Sequence, residues 1–231
     1  MSCDYGYVRK NLEELTEELS ALAASVGREK ITLVCVTKSG SDEELCELVR
    51  AGASGIGENR PQELRRRGEL LRGAGLNPTL HEIGNLQRKN VKLIIGDVAL
   101  IHSLDSLELA AEIDKRAAAI GRRIPVLAEI NSGREENKGG ILPEAAEDFC
   151  AKVKGFENLA LCGLMTMGPA LDEPELMRPY FKLTKEIFDK LDGDGLFEGE
   201  PILSMGMSDS YRVAIEEGAT LVRIGRRLFQ K

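Results

Sequence analysis

The chain has 231 residues, 42% of them hydrophobic and 30% charged, which fits a folded globular protein with a sizeable core and argues against disorder. Lys and Arg total 31 against 38 Asp and Glu, a formal charge of −7 that speaks against general nucleic-acid binding. No apolar run is long enough for a bilayer, the first residues lack a signal-peptide core, and the scattered cysteines (Cys3, Cys35, Cys46, Cys150, Cys162) form neither a C-x-x-C pair nor a disulfide framework, so a cytoplasmic protein is expected.

The N-terminal stretch predicts a helix. Leu12, Leu15, Leu19, Leu22 and Val26 recur at spacings of three and four, on one face, and Gly27 stops the run. Residues 31–37 read as the first strand. Ser41-x-x-Glu44 is a capping box ahead of Leu45, Leu48 and Val49. Residues 54–58, 79–83 and 100–104 are the next strands. Asp105-x-x-Glu108 predicts a second capping box, on a helix running to about Ile120. Residues 125–131 form the fifth strand, and Pro143 suits the first turn of a helix ending at Gly155. The sixth strand is 159–167, followed by a long amphipathic helix over 175–191. The seventh strand is 201–207, a helix over 209–217 stops at Gly218, and 221–224 is the eighth strand.

Several of these apolar runs are continuous, as in parallel strands covered by helices on both sides. Eight strand–helix units after one extra helix predict an α/β chain folded as a (β/α)8 barrel, a TIM barrel of near-minimal size. One domain is expected over 1–231, with the helix in 1–27 and the barrel in 31–231. A doubly wound open sheet is the alternative, because strand order is invisible in sequence. No G-x-G-x-x-G follows the first strand, which weakens its dinucleotide-binding form.

In either architecture chemistry sits at the carboxyl ends of the strands. The first strand ends in Lys38, which by position alone is more often a solvated exit residue than a buried, reactive amine. Asn59, after the second strand, is a ligand contact or, more commonly, a helix cap. His81 and His102, inside the third and fourth strands, read as structural. A polar loop, Gly133-Arg134-Glu135-Glu136-Asn137-Lys138-Gly139-Gly140, follows the fifth. Ser208 stands where the seventh strand gives way to a helix and is expected to be its N-cap, at an anion site. The eighth strand ends Arg223-Ile224-Gly225-Arg226, and Gly225 allows close approach of backbone to a ligand. Phosphate frequently binds after strands seven and eight of such barrels. A lysine and a phosphate site at one mouth suggest an aldehyde cofactor with a phosphate handle, pyridoxal 5′-phosphate.

These residues lie in segments that match a known family. The segments are Val36-Thr37-Lys38, Gly57-Glu58-Asn59, His81-Glu82-Ile83-Gly84-Asn85-Leu86-Gln87, Glu135-Glu136-Asn137-Lys138-Gly139-Gly140, Gly163-Leu164-Met165-Thr166-Met167, Leu203-Ser204-Met205-Gly206-Met207-Ser208-Asp209 and Val222-Arg223-Ile224-Gly225. In this order, over nearly the whole chain, they resemble the pyridoxal phosphate homeostasis proteins (the YggS/PROSC type), which share the barrel of the alanine racemase N-terminal domain. The resemblance implies that Lys38 holds pyridoxal 5′-phosphate as a Schiff base. It implies that Ser208, Gly225 and Arg226 contact the phosphate, the last two through backbone N–H groups. Arg223 would face the pyridine nitrogen, and Asn59 would line the pocket near the ring. Lys138, whose loop faces the same mouth, is the first alternative to Lys38. The chain departs from the family's pattern at Leu80, Glu82, Arg226 and Arg227, positions expected to shape the rim of the pocket.

The implied function is intracellular vitamin B6 homeostasis: holding the cofactor and handing it to apo-enzymes that depend on it. An Arg at the pyridine nitrogen disfavours ring protonation and so weakens the electron sink. In the racemases a second, β-rich domain supplies a Tyr as the other acid/base. The chain ends after the eighth unit, and none of Tyr5, Tyr7, Tyr180 and Tyr211 matches that role. A carrier rather than an efficient enzyme is therefore expected, as a monomer, with no nucleic acid, membrane or metal. The alternative is a weak, racemase-like pyridoxal-phosphate enzyme.

Overall fold

The computed structural model describes residues 5–231; Cys3 lies outside them. Eight parallel strands close on themselves in sequence order, β1 (Thr32–Val36), β2 (Gly55–Glu58), β3 (Thr79–Glu82), β4 (Val98–Leu104), β5 (Ile124–Glu129), β6 (Leu159–Met165), β7 (Ile202–Ser204) and β8 (Leu221–Ile224). The ring is sealed where Leu33 pairs with Val222 and Cys35 with Ile224. The open-sheet alternative is thereby excluded, and the expected (β/α)8 barrel stands. Helices α1 (Gly6–Ser25), α2 (Asp42–Arg50), α3 (Pro61–Gly73), α4 (Val91–Ile94), α5 (Leu107–Ala118), α6 (Ala146–Val153), α7 (Arg178–Gly193) and α8 (Tyr211–Glu216) accompany it. Among the described residues, no helix is long and apolar enough to cross a membrane.

The sequence periods account for the packing. The apolar stripe of α1 buries Leu12, Leu15 and Leu19, and joins the shell of side chains between strands and helices. Full burial of one such aliphatic side chain contributes about 1.5–3 kcal/mol. Inside the barrel, alternate strand residues form a second, smaller cluster of Val34, Leu100, Leu127, Met165 and Leu221. One step further toward the carboxyl ends, the same inward-facing register carries His102, Glu129 and Arg223. The barrel thus has an apolar layer below a polar one, and the polar layer floors the mouth.

The capping box of α2 forms with both of its hydrogen bonds, Glu44 N to Ser41 Oγ at 3.2 Å and Ser41 N to Glu44 Oε2 at 2.6 Å. The expected box at Asp105 does not. The N-cap of α5 is Ser106, one residue later, and the third helical position is then Leu109, which cannot reach back. Strands one, three, five, six and seven stop short of their expected ends. The buried residues just beyond four of them, Thr37, Ile130, Thr166 and Met205, each still donate one backbone bond to the neighbouring strand, to Gly57 O, Met165 O, Ser204 O and Leu221 O, before the chain turns away. The helix expected from 175 begins as a proline-headed 3-10 turn, Pro174–Met177, before α7. Pro143 likewise opens a 3-10 turn, with α6 following it.

Glu82 is fully buried on the outward side of β3, where Oε1 accepts from Gly84 N at 3.1 Å and Oε2 has no partner. Burial pushes its carboxyl up to about 8, and Glu58 adds to the rise. The folded state therefore favours protonated Glu82, a contribution present in full below the ordinary carboxylate range and lost as pH rises toward 8. Glu82→Gln copies the neutral form and does not titrate. Its stability relative to the parent should rise between about pH 4.5 and 8, by up to about 1.4 kcal/mol per pH unit. Denaturant titrations of both proteins across this range check the slope; parallel pH profiles would contradict it.

Candidate functional site at the barrel mouth

Lys38 stands in the turn that leaves β1, with its side chain exposed at the carboxyl end of the barrel. A buried clamp holds that turn from below. Arg67 on α3 donates from Nη1 to Thr37 O and, at 2.6 Å, to Glu58 Oε1, and from Nη2 to Gly40 O at 2.7 Å. Thr37 Oγ1 donates to the same Glu58 carboxylate. The two carbonyls flank Lys38, so a guanidinium and a carboxylate fix where the lysine begins its reach. The ring of Phe229 covers Gly40 so closely that a Cβ there would lie 2.6 Å from it. Arg67 was hidden in the run Arg65-Arg66-Arg67, which reads as a solvated face. The missed signal is its spacing from Leu64 and Leu71, three and four residues, which sets it on the buried stripe of α3.

Beside β1, strands seven and eight bring Ser208 and Gly225 together. Gly225 N approaches Ser208 Oγ at 3.4 Å. Ser208 is not the N-cap of α8, as expected from sequence. That cap is Ser210, whose hydroxyl accepts from Met207 N at 3.3 Å. A further turn separates strand from helix, and it leaves the Ser208 hydroxyl at the mouth. Gly225 also has a reason beyond ligand approach: a Cβ on it would lie 2.8 Å from Val36 O on β1. It heads the 3-10 turn Arg226–Phe229, whose first N–H groups have no acceptor within the turn. The Arg226 side chain turns outward to an exposed ion pair with Asp209, so only its backbone is offered to the mouth.

Arg223 is 3% exposed and lies inside the barrel at the floor of the mouth. It donates from Nη1 to Ser204 Oγ and from Nη2 to Thr166 O at 3.0 Å. Burial lowers its pKa to about 10, with Glu129 opposing the fall, so it stays charged at neutral pH. Glu129, missed by the sequence reading, is pushed up to about 7 by burial and by Asp105, while Arg223 pulls it down. A charged residue two places before the end of an apolar strand was the signal. His81 and His102, read from sequence as structural, are both buried inside the barrel: burial lowers His81 to about 4 and His102 well below its ordinary value.

The remaining expected residues are spread around this floor. Asn59 is exposed where β2 ends and is not a cap, since the N-cap of α3 is Arg60. Lys138 is exposed on the loop after β5, with its Nζ 3.9 Å from Glu135. That loop is closed on itself by Asn131 N to Ile141 O at 2.9 Å and Asn131 Nδ2 to Glu135 O at 2.9 Å, and it lines a cavity with Glu129 and Met167. Leu80 and Glu82 do not shape the rim. Both are buried on the outward face of β3, Leu80 against Gly68 of α3. Among the described residues, no group of three or more His, Cys, Asp or Glu is placed to hold a metal ion.

The alanine racemase N-terminal domain model matches residues 11–230. A pyridoxal phosphate homeostasis protein of Aquifex aeolicus is 40% identical over 222 residues, 95% of this chain and 96% of that one. The protein of the same description from Helicobacter pylori is 33% identical over 226 residues, 96% of this chain and 98% of that one. PipY of Synechococcus elongatus, a structure with PLP bound, shares the fold with a TM-score of 0.84 at 24% identity, over 96% of this chain and all of that one. The chain belongs to the alanine racemase N-terminal domain family and, within it, to the pyridoxal phosphate homeostasis proteins.

Proposed function

We propose that this protein binds pyridoxal 5′-phosphate reversibly at the barrel mouth, held covalently at Lys38, and serves cofactor homeostasis by storing it and releasing it to apo-enzymes. The observation that carries this is the convergence of three kinds of group at one mouth. Lys38 offers an exposed amine on a fixed turn. Ser208 and the backbone of Gly225 and Arg226 offer donors to an anion. Arg223, a donor-only cation, floors the site and suits an unprotonated ring nitrogen. The bound cofactor supplies an aldehyde that condenses with an amine and releases water. Asn59 lies at the neighbouring strand end and is assigned to the pocket wall. The relatives' descriptions support the same reading. Cys35, Cys46, Cys150 and Cys162 are all free thiols, which suits a cytoplasmic location.

Lys38→Ala should lose both the long-wavelength absorption of the loaded protein and the adduct fixed by borohydride. Retention of both would move the assignment to Lys138. Ser208→Ala removes one hydroxyl donor to the phosphate. A hydrogen bond to a charged group contributes roughly 1.5–3 kcal/mol, so cofactor affinity should fall about ten-fold or more. Equilibrium dialysis measures it, and unchanged affinity would remove Ser208 from the phosphate site. Gly225→Val is a poorer test, because its side chain would displace β1.

One observation favours a second reading, weak proton-transfer activity on amino acids. Glu129 has a carboxyl raised to about 7 and stands in the mouth within the field of Arg223. The carrier reading expects no turnover in the ordinary enzymatic range of about 1–10³ s⁻¹ when single enantiomers of alanine and other amino acids are incubated with loaded protein. Inversion at such rates, abolished by Glu129→Gln, would replace the carrier with an enzyme.

A further inference from the structure

The interior of the barrel contains an unbroken hydrogen-bond chain that crosses it from the mouth to the opposite end. Arg223 Nη1 meets Ser204 Oγ. Ser204 Oγ lies 3.0 Å from His102 Nδ1, His102 Nε2 lies 3.0 Å from His81 Nδ1, and His81 Nε2 lies 3.0 Å from Thr79 Oγ1. Thr79 Oγ1 then donates to Ser54 O at 3.0 Å. Ser204 and His102 are wholly buried, and His81 is 8% exposed. Thr79, at the start of β3, is exposed.

The two ends dictate the direction of every bond between them. A guanidinium only donates, and a carbonyl oxygen only accepts. Because Thr79 spends its single proton on Ser54 O, each bond back along the chain must be donated from the Arg223 side, and Ser204 directs its single proton to His102 Nδ1. His102 must then carry its proton on Nε2 and give it to His81 Nδ1. His81 likewise carries its proton on Nε2 and gives it to Thr79 Oγ1, whose own proton goes to Ser54. No other arrangement satisfies all the groups. Burial keeps both rings neutral, as this pattern requires.

We propose that His81, His102 and Ser204 act as positioning residues for Arg223: two Nε2–H histidines commit the Ser204 hydroxyl as a donor away from Arg223, so that its lone pairs hold the guanidinium toward the cofactor ring. The proposal rests on the cofactor-binding reading for its functional half alone. Without the chain, Ser204 could turn its proton toward the mouth and compete with Arg223. In a low-dielectric interior an aligned chain also strengthens each of its members. Thr166 O, 3.0 Å from Nη2, completes the hold on the second nitrogen.

Long-range ¹H–¹⁵N NMR of the protein without cofactor reads the tautomers directly. Both His81 and His102 should show the Nε2–H pattern at pH 7. A protonated ring, or an Nδ1–H pattern on either, would overturn the chain. Ser204→Ala should give His102 a mixture of tautomers and weaken cofactor binding about ten-fold. Ser204→Thr, which keeps a hydroxyl, should restore both to near the parent. Unchanged cofactor affinity in folded Ser204→Ala would overturn the positioning role even with the tautomers as described. If the parent protein bound no cofactor, the functional reading and the positioning role would fall together, whereas the NMR pattern would still decide the chain.

Discussion

A buried guanidinium depends on acceptors supplied by the protein around it, since burial removes it from bulk water. This constraint shapes the mouth of the molecule twice. Arg67 lies beneath the β1 exit, where Glu58 and two carbonyls of the Lys38 turn accept from its Nη1 and Nη2, while its buried Nε has no hydrogen-bond partner and faces Asp42 and Glu63 at 3.8 and 3.9 Å. Arg223 lies inside the ring and is met by Ser204 and Thr166 O. Removing an acceptor from either leaves a buried cation exposed to the full cost of desolvation. The rigid parts of the site are therefore the parts nearest these two side chains, and the groups free to meet a ligand are built on top of them.

The two anchors divide the chemistry. Around Arg67 the protein spends a buried carboxylate, Glu58, to neutralise the charge. Around Arg223 it spends mainly neutral acceptors, with Glu129 further away and partly protonated near neutral pH. Arg223 consequently keeps its charge to direct at whatever occupies the mouth. A site that presents a permanent donor there stabilises a neutral ring and holds back carbanion chemistry, which suits a protein that keeps a reactive aldehyde without consuming it. The free carboxyl at Glu129 is the feature that keeps proton transfer within chemical reach.

Much of the fold was legible because its signals are local. The α1 stripe, the Ser41–Glu44 box and the eight apolar runs each depend on residues within a few positions of one another. The number of strands and their alternation with helices pointed to the barrel, whereas the strand order that excludes an open sheet came only with the pairing of β1 and β8. Register details failed where one residue decides them: Ser106 displaced the expected cap at Asp105, and Ser210 displaced the one at Ser208. Lys38, Asn59, Ser208, Arg223, Gly225 and Arg226 were legible as strand-end residues, and the structure gathers them around one mouth. The parts that make them rigid were not. Arg67 lies 29 positions from Lys38 and Phe229 lies 189 from Gly40, and nothing in a linear pattern announces such meetings. Likewise Leu80 and Glu82 depart from the family's pattern at positions that strand alternation turns away from the pocket.

The central claim is that the mouth binds pyridoxal 5′-phosphate through the amine at the end of β1. Peptide mapping by mass spectrometry, after the loaded wild-type protein is reduced with borohydride, tests it most directly. The account predicts one modified lysine, Lys38, carrying a single phosphopyridoxyl group. Modification confined to Lys138, or spread over surface lysines in proportion to their exposure, would contradict it.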